Sequence, residues 1–359
     1  MADTNADESS IELLSKKLNK EWPHIRAARQ NAIAKREEVK KVLDSKAVSY
    51  LSNDFSLVVF GSLARDEWTE KSDLDWGLLV DSQAHPEHFQ VALQIAKLFE
   101  EHGIGKPPGR TGIFGNLIFS HELVHQIGGE NDPNSNITRR LLLLLESRPI
   151  GSPDAYNRVV HVVLERYFNQ DTNLLTADKK HFRVPRFLLN DVVRFWRTMA
   201  VDFAGKQRER GGEGWALRNI KLRMSRKLIF TTGLLMCLSC QTELQPSSES
   251  ETSPDMLIRY VSRFVTLPPL EILGWGLIWY QISDQTVMDL LDSYDLFLEC
   301  LNDLKSRSHL ENLSYEDSIG DTVFQQMRKV GQRFQHGLDH LFFEDHKDLT
   351  QLIRKYGVF

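Results

Sequence analysis

The sequence predicts an α+β protein whose strands are confined to its N-terminal part and whose C-terminal half is all helical. Three observations carry this expectation. Two short apolar runs, Leu57 to Phe60 and Trp76 to Val80, are separated by a Gly-Ser turn and a polar stretch. The segments around them place apolar residues at helical spacing. Beyond about residue 155 no strand pattern remains.

Residues 9–48 read as one or two helices. Leu13, Leu14, Leu18 and Trp22 recur at helical spacing, Glu37 to Leu43 continue the pattern, and Pro23 marks a boundary or a first helical position. Residues 55–82 give a strand, a short helix and a strand. Residues 87–102 form an amphipathic helix through Phe89, Val91, Leu93, Ile95 and Leu98, and Lys106 to Arg110 is a turn-rich loop. Gly112 to Val124 is apolar with strand-like composition. Thr138 is an N-cap candidate for a nearly all-apolar helix that ends at Glu146-Ser147-Arg148-Pro149.

Helices follow at Tyr156 to Phe168, Phe187 to Ala204 and Trp215 to Leu238, the last after Lys206 to Gly214, a charged, glycine-rich stretch expected to be a mobile loop. Gln245 to Pro254 is a polar linker expected to be disordered or mobile. Residues 256–306 and 315–355 are helical. Trp275, Trp279 and Tyr280 are expected in the core, and Tyr356 on an exposed tail. The expected organisation is N-terminal helices over 1–50, a catalytic domain over 51–153 and a helical domain over 154–359, with a linker near 243–255.

Residues 60–80 carry the chemistry: Phe60-Gly61-Ser62-Leu63-Ala64-Arg65, then Ser72-Asp73-Leu74-Asp75-Trp76 opening the second apolar run. Residues of a strand alternate faces, so Asp73 and Asp75 point one way while Leu74 points into the core. Two carboxylates on one face make a poor core and a good holder for Mg²⁺, a hard cation that shares oxygen ligands with substrate phosphates. Gly61 permits a tight turn, and Ser62, with backbone N–H groups at the start of the next helix, suits a triphosphate.

Gly-Ser followed by Asp-x-Asp at the start of a strand resembles the DNA polymerase β-like nucleotidyltransferase superfamily, which includes poly(A) and CCA-adding polymerases, protein uridylyl- and adenylyltransferases and bacterial second-messenger synthases. Gly61, Ser62, Arg65, Asp73 and Asp75 match its motif, with a close match over about residues 55–82. The resemblance implies a mixed sheet with flanking helices, extending to about residue 150. It also implies two Mg²⁺ ions bridged by Asp73 and Asp75, a nucleoside triphosphate substrate, and nucleotide contacts from Gly61, Ser62 and Arg65. A helical second domain of this superfamily often supplies cations to the triphosphate. Lys221, then Arg218 and Arg226, are the candidates, with a solvated basic face as the alternative.

The superfamily usually needs a third acid from a neighbouring strand. Glu122, before Leu123-Val124, resembles it, with Glu where Asp is usual; Asp132 is the competitor. For the acceptor, the resemblance leaves a nucleotide or short oligonucleotide, giving a product of the kind used in anti-phage signalling, a partner protein, an RNA or tRNA end, or no catalysis at all but a nucleotide-binding module.

Composition narrows the partners. The chain has 359 residues, enough for two domains, with 41% hydrophobic and 26% charged residues. A net charge of −5 disfavours coating of long duplex nucleic acid. No apolar run reaches the length of a membrane span, and the acidic N-terminus lacks a signal peptide's apolar core. Cys237, Cys240 and Cys300 are expected as buried thiols in a cytoplasmic protein, since Cys237-x-x-Cys240 has no second pair to complete a zinc site. His336 and His340 share a helix face and are expected on a solvated surface.

Overall fold

A computed structural model describes residues 8–45, 52–104, 117–125, 127–128, 130–171, 174–176, 181–209, 214–244 and 253–357. Helices α1 (Ser10–Leu18) and α2 (Pro23–Ser45) precede β1 (Phe55–Phe60), α3 (Gly61–Ala64), β2 (Trp76–Val80) and α4 (Pro86–Glu101). Then come β3 (Leu117–Phe119), α5 (Ser120–Val124), α6 (Asn134–Leu145), β4 (Ser147–Ile150), α7 (Asp154–Asn169) and α8 (Arg186–Glu209). Helices α9 (Trp215–Lys221) and α10 (Lys227–Thr242) are joined by a π-helical turn, Leu222–Arg226. The remainder is α11 (Pro254–Val265), α12 (Pro269–Trp279), α13 (Asp284–Asn302), α14 (Leu304–Asn312), α15 (Tyr315–Ser318), α16 (Thr322–Phe343), α17 (Lys347–Leu352) and a second π-helical turn, Ile353–Gly357.

The strands form one mixed sheet in the order β3-β2-β1-β4. β1 pairs antiparallel with β2 and with β4, and β2 pairs parallel with β3. Every residue of β1 and β2 is buried, because helices cover both faces. On one face Leu57, Val59, Trp76 and Leu78 pack with Ala32, Val39 and Leu43 of α2 and Ile95 and Phe99 of α4. Trp76 meets Phe99 edge-on at 5.7 Å. On the other face α7 packs on β1 and β2, and Ser56 Oγ accepts from Tyr156 N. β4 is an edge strand, so Pro149 breaks no ladder partner.

Two compact units emerge. One comprises residues 28–191 and 243–266; the other comprises 1–27, 192–242 and 267–359. The expected catalytic stretch 51–153 lies within the first. Helix α11 also belongs there, packed on α7 and α6, although it follows the expected linker. In the helical unit α1 packs on α12, where the buried Glu271 carboxylate accepts from Ser10 N at 2.8 Å and caps the α1 N-terminus. Asp295 of α13 likewise accepts from the N–H groups of His24 and Ile25, at 2.9 Å each.

Several expectations are corrected. β4 stands where only the end of a helix was expected, and the apolar Gly112 to Val124 stretch turns helical at Ser120. Helix α8 continues to Glu209, into the expected 206–214 loop. Residues 210–213 of that loop, most of the 245–254 linker and the 106–110 loop lie outside the described residues. Tyr280 is core, but Trp275 and the exposed Trp279 stack at 5.0 Å on the surface. Tyr356 sits half-buried in the second π-helical turn rather than on a tail. The three cysteines are buried and free, and no helix of the described residues is long and apolar enough to cross a membrane.

Candidate active site

The Gly-Ser turn joins β1 to α3 at the end of the sheet where β2 begins. Gly61 holds φ +64°, and a Cβ built on it would lie 2.6 Å from Asp75 Oδ2. Only glycine satisfies both demands, the left-handed backbone and the close approach of the carboxylate. The backbone fixes the same neighbourhood, since Phe60 N donates to Asp75 O at 2.8 Å. Ser62 is half-exposed beside it.

The alternation expected from Asp73-Leu74-Asp75 is present just ahead of β2. Leu74 is 2% exposed and belongs to the core, whereas Asp73 is exposed and Asp75 half-buried. A turn closed by Ser72 N donating to Thr69 O, and by Thr69 N donating to Ser72 Oγ, delivers the chain to Asp73. The structure therefore brings Asp75 against the Gly61-Ser62 turn, with Asp73 exposed two residues before it.

Arg65 is placed otherwise than expected. Its side chain is buried behind the turn, where Nε donates to Glu67 at 2.9 Å and Nη1 bonds Glu146. Two further arginines hold α3 from behind. Arg36 Nη1 donates to Leu63 O at 2.7 Å and to Asp66 at 2.5 Å; Arg148 Nε donates to Ala64 O at 3.1 Å. These guanidinium groups satisfy carbonyls at the C-terminal end of the short helix. Burial pushes the Arg148 guanidinium below its ordinary pKa, with Asp66 opposing. Glu146 and Arg148 are the acid and arginine of the Glu146-Ser-Arg-Pro stretch; their scaffold role was missed because the sequence read it as a helix end. The β4 register carries them to the turn, with Ser147 opposite Phe60.

Neither candidate for the third acid joins the pair. β3 runs parallel to β2 with Phe119 beside Val80, so Glu122, on α5, lies beyond the sheet end opposite Asp75. The length of β2 alone separates the two ends, about 16 Å at ~3.3 Å per residue. Glu122 is exposed, pairs with Arg139 at 2.7 Å, and lines a separate open cavity of about 690 Å³ with Asp81, His121 and His125. Asp132 is buried and spent on Arg140, which bonds both its carboxylate oxygens, at 3.0 and 2.5 Å. Residues 105–116 contain no Asp or Glu. Glu146, Glu67 and Asp66 are acids near the turn; the first two face Arg65, and Asp66 faces Arg36 and Arg148.

Lys221, Arg218 and Arg226 belong to the helical unit, half-buried on α9 and its π-helical turn. His336 and His340 lie 4.4 Å apart; among the described residues no group of three or more His, Cys, Asp or Glu is arranged to hold a metal. Asp73 and Asp75 still fit Mg²⁺, which binds through one or two carboxylates and completes its shell with substrate phosphates and water.

Residues 37–106 match the family model described as nucleotidyltransferase domain, a stretch that contains the Gly-Ser turn and both aspartates and ends before Glu122. The match makes that stretch similar to nucleotidyltransferase domains, consistent with the polymerase β-like superfamily, and it supports transferase activity of the EC 2.7.7 type. No curated protein matches the chain.

Proposed function

We propose that the protein is a Mg²⁺-dependent enzyme that transfers a nucleoside monophosphate from an NTP or dNTP to a hydroxyl acceptor and releases pyrophosphate. The observation that supports this best is the close approach of the Asp75 carboxylate to Gly61, with Asp73 exposed two residues before it. Bound Mg²⁺ would supply charge neutralisation for the departing pyrophosphate. The chain's own part is positioning. The backbone of the Gly-Ser turn and Ser62 orient the triphosphate, and Arg36, Arg65 and Arg148 keep that turn from moving. Lys221, Arg218 and Arg226 are proposed as cations for the triphosphate on the family likeness alone; Lys221→Gln should raise the KM for NTP.

The acceptor we favour is a nucleotide or short oligonucleotide, with a signalling product of the kind made in anti-phage defence. Glu146 and Arg148 have a scaffold task at the turn, so the Glu146-Ser-Arg-Pro stretch is no pointer to a protein acceptor.

The test is pyrophosphate release from each NTP and dNTP with Mg²⁺, for the wild type and for Asp73→Ala and Asp75→Ala. Release without added acceptor, lost in both variants, together with an oligonucleotide or cyclic product, supports the reading. Release only with a partner protein replaces it with protein modification. Silence with every nucleotide and acceptor leaves a nucleotide-binding module.

A further inference from the structure

The helical unit holds a cavity of about 270 Å³ between α8, α10, α16 and the C-terminal π-helical turn. Its aromatic wall is Trp196 on Phe230, stacked at 5.4 Å with 20° between the planes, and Phe342 and Leu338 add to it. Its polar edge is Lys227, Gln335 and Asp339. Lys227 Nζ donates to Gln335 Oε1, and Gln335 Nε2 donates to Asp339 at 2.6 Å.

Both π-helical turns border this cavity. Lys227 follows directly on Leu222–Arg226, and Ile353 and Gly357, the ends of the other turn, also line the cavity. Such turns are rare and gather at functional sites. The first one carries Arg223, whose stem packs against Gly331 of α16 and whose Nε donates to Asn219 at 2.9 Å. Arg328 lies one turn before Gly331 on the same helix.

We infer that this cavity binds a small ligand made of one planar ring system and one anionic group, with the ring against Trp196 and Phe230 and the anion at Lys227, next to Arg223 and Arg328. The volume suits a small ligand, near the lower end of pockets that hold drug-sized molecules, ~300 Å³. The local charge favours an anion: Arg223 stands beside Lys227 and Arg328 beside Arg223, against Asp339 on the cavity lining. Consistent with this, burial and then Arg328 push the Arg223 pKa down, and burial and then Arg223 push the Lys227 pKa down, with Asp339 opposing. An anion would relieve both effects. A nucleoside monophosphate and an aromatic carboxylate share this chemistry. The inference is independent of the catalytic reading, because every residue it uses belongs to the helical unit.

The test is calorimetric titration of the full-length protein in EDTA with AMP, CMP, indole-3-acetate and inorganic phosphate. One ring-bearing anion should bind with 1:1 stoichiometry, at least tenfold tighter than phosphate, and the tighter class identifies the source. Lys227→Gln and Phe230→Ala should each weaken it tenfold or more, with circular dichroism confirming that the variants fold. If Lys227→Gln unfolds, Arg223→Gln takes its place. Asp75→Asn should bind as the wild type does. Absence of binding by all four probes overturns the inference. So does binding that survives Lys227→Gln but fails in Asp75→Asn, or phosphate binding as tightly as the ring-bearing anions.

Discussion

Gly61→Ala tests whether the turn and the carboxylate are one device. The new methyl meets two penalties. A left-handed backbone costs an L-residue about 1–2 kcal/mol. In addition, the added Cβ would stand 2.6 Å from Asp75 Oδ2, so the carboxylate must retreat by roughly 0.8 Å to reach ordinary contact at 3.4 Å. For a unit of this size the backbone penalty alone lowers Tm by about 2–8 °C. The displaced carboxylate affects turnover more, since a misplacement near 1 Å costs on the order of 100-fold. A double-mutant cycle separates the two penalties. In an Asp75→Ala background the close contact is gone, so Gly61→Ala should cost only its backbone part, and the cycle should show a coupling of about 0.5 kcal/mol or more. Thermal melts and pyrophosphate release of the four proteins provide the data. Strict additivity in Tm, or wild-type turnover in Gly61→Ala, would refute the proposed contact.

Asp73→Asn should leave stability within about 0.5 kcal/mol, as expected at an exposed position, while turnover falls by orders of magnitude; an equally large fall in Tm would make the acid structural. Arg65→Met removes a buried ion-pair partner of Glu67 and Glu146 and should destabilise by about 3–5 kcal/mol; a KM increase for NTP without loss of Tm would instead make Arg65 a nucleotide contact. Glu122→Ala breaks a surface ion pair and should change stability by about 0–1 kcal/mol with unaltered turnover; loss of activity would place Glu122 in the reaction after all. Burial pushes the Cys300 thiol up to about 11. The unfolded chain releases this proton near its ordinary value, so the contribution is full below about pH 9 and declines as pH rises toward 11, at up to about 1.4 kcal/mol per unit. Chemical denaturation from pH 8 to 11 should show a decline that Cys300→Ser reduces.

The chain by itself determined the parts of this protein that depend on local order. A glycine before a serine, and two acids flanking a leucine ahead of an apolar run, are short-range patterns. Backbone sterics and strand alternation act within a few residues, so the turn, the two strands and the outward aspartates were legible in advance. Only the tertiary structure decided what long-range register controls. The parallel pairing of β3 with β2 sent Glu122 to the wrong end of the sheet. The antiparallel pairing of β4 with β1 brought Glu146 and Arg148, distant in sequence, against the back of the turn. Arg65 matched a motif, yet whether a guanidinium meets solvent or two buried carboxylates depends on which strand closes over it. The same holds for Lys227 and Trp196, which share a cavity wall because helices far apart in the chain pack together, a juxtaposition that no spacing along one helix encodes.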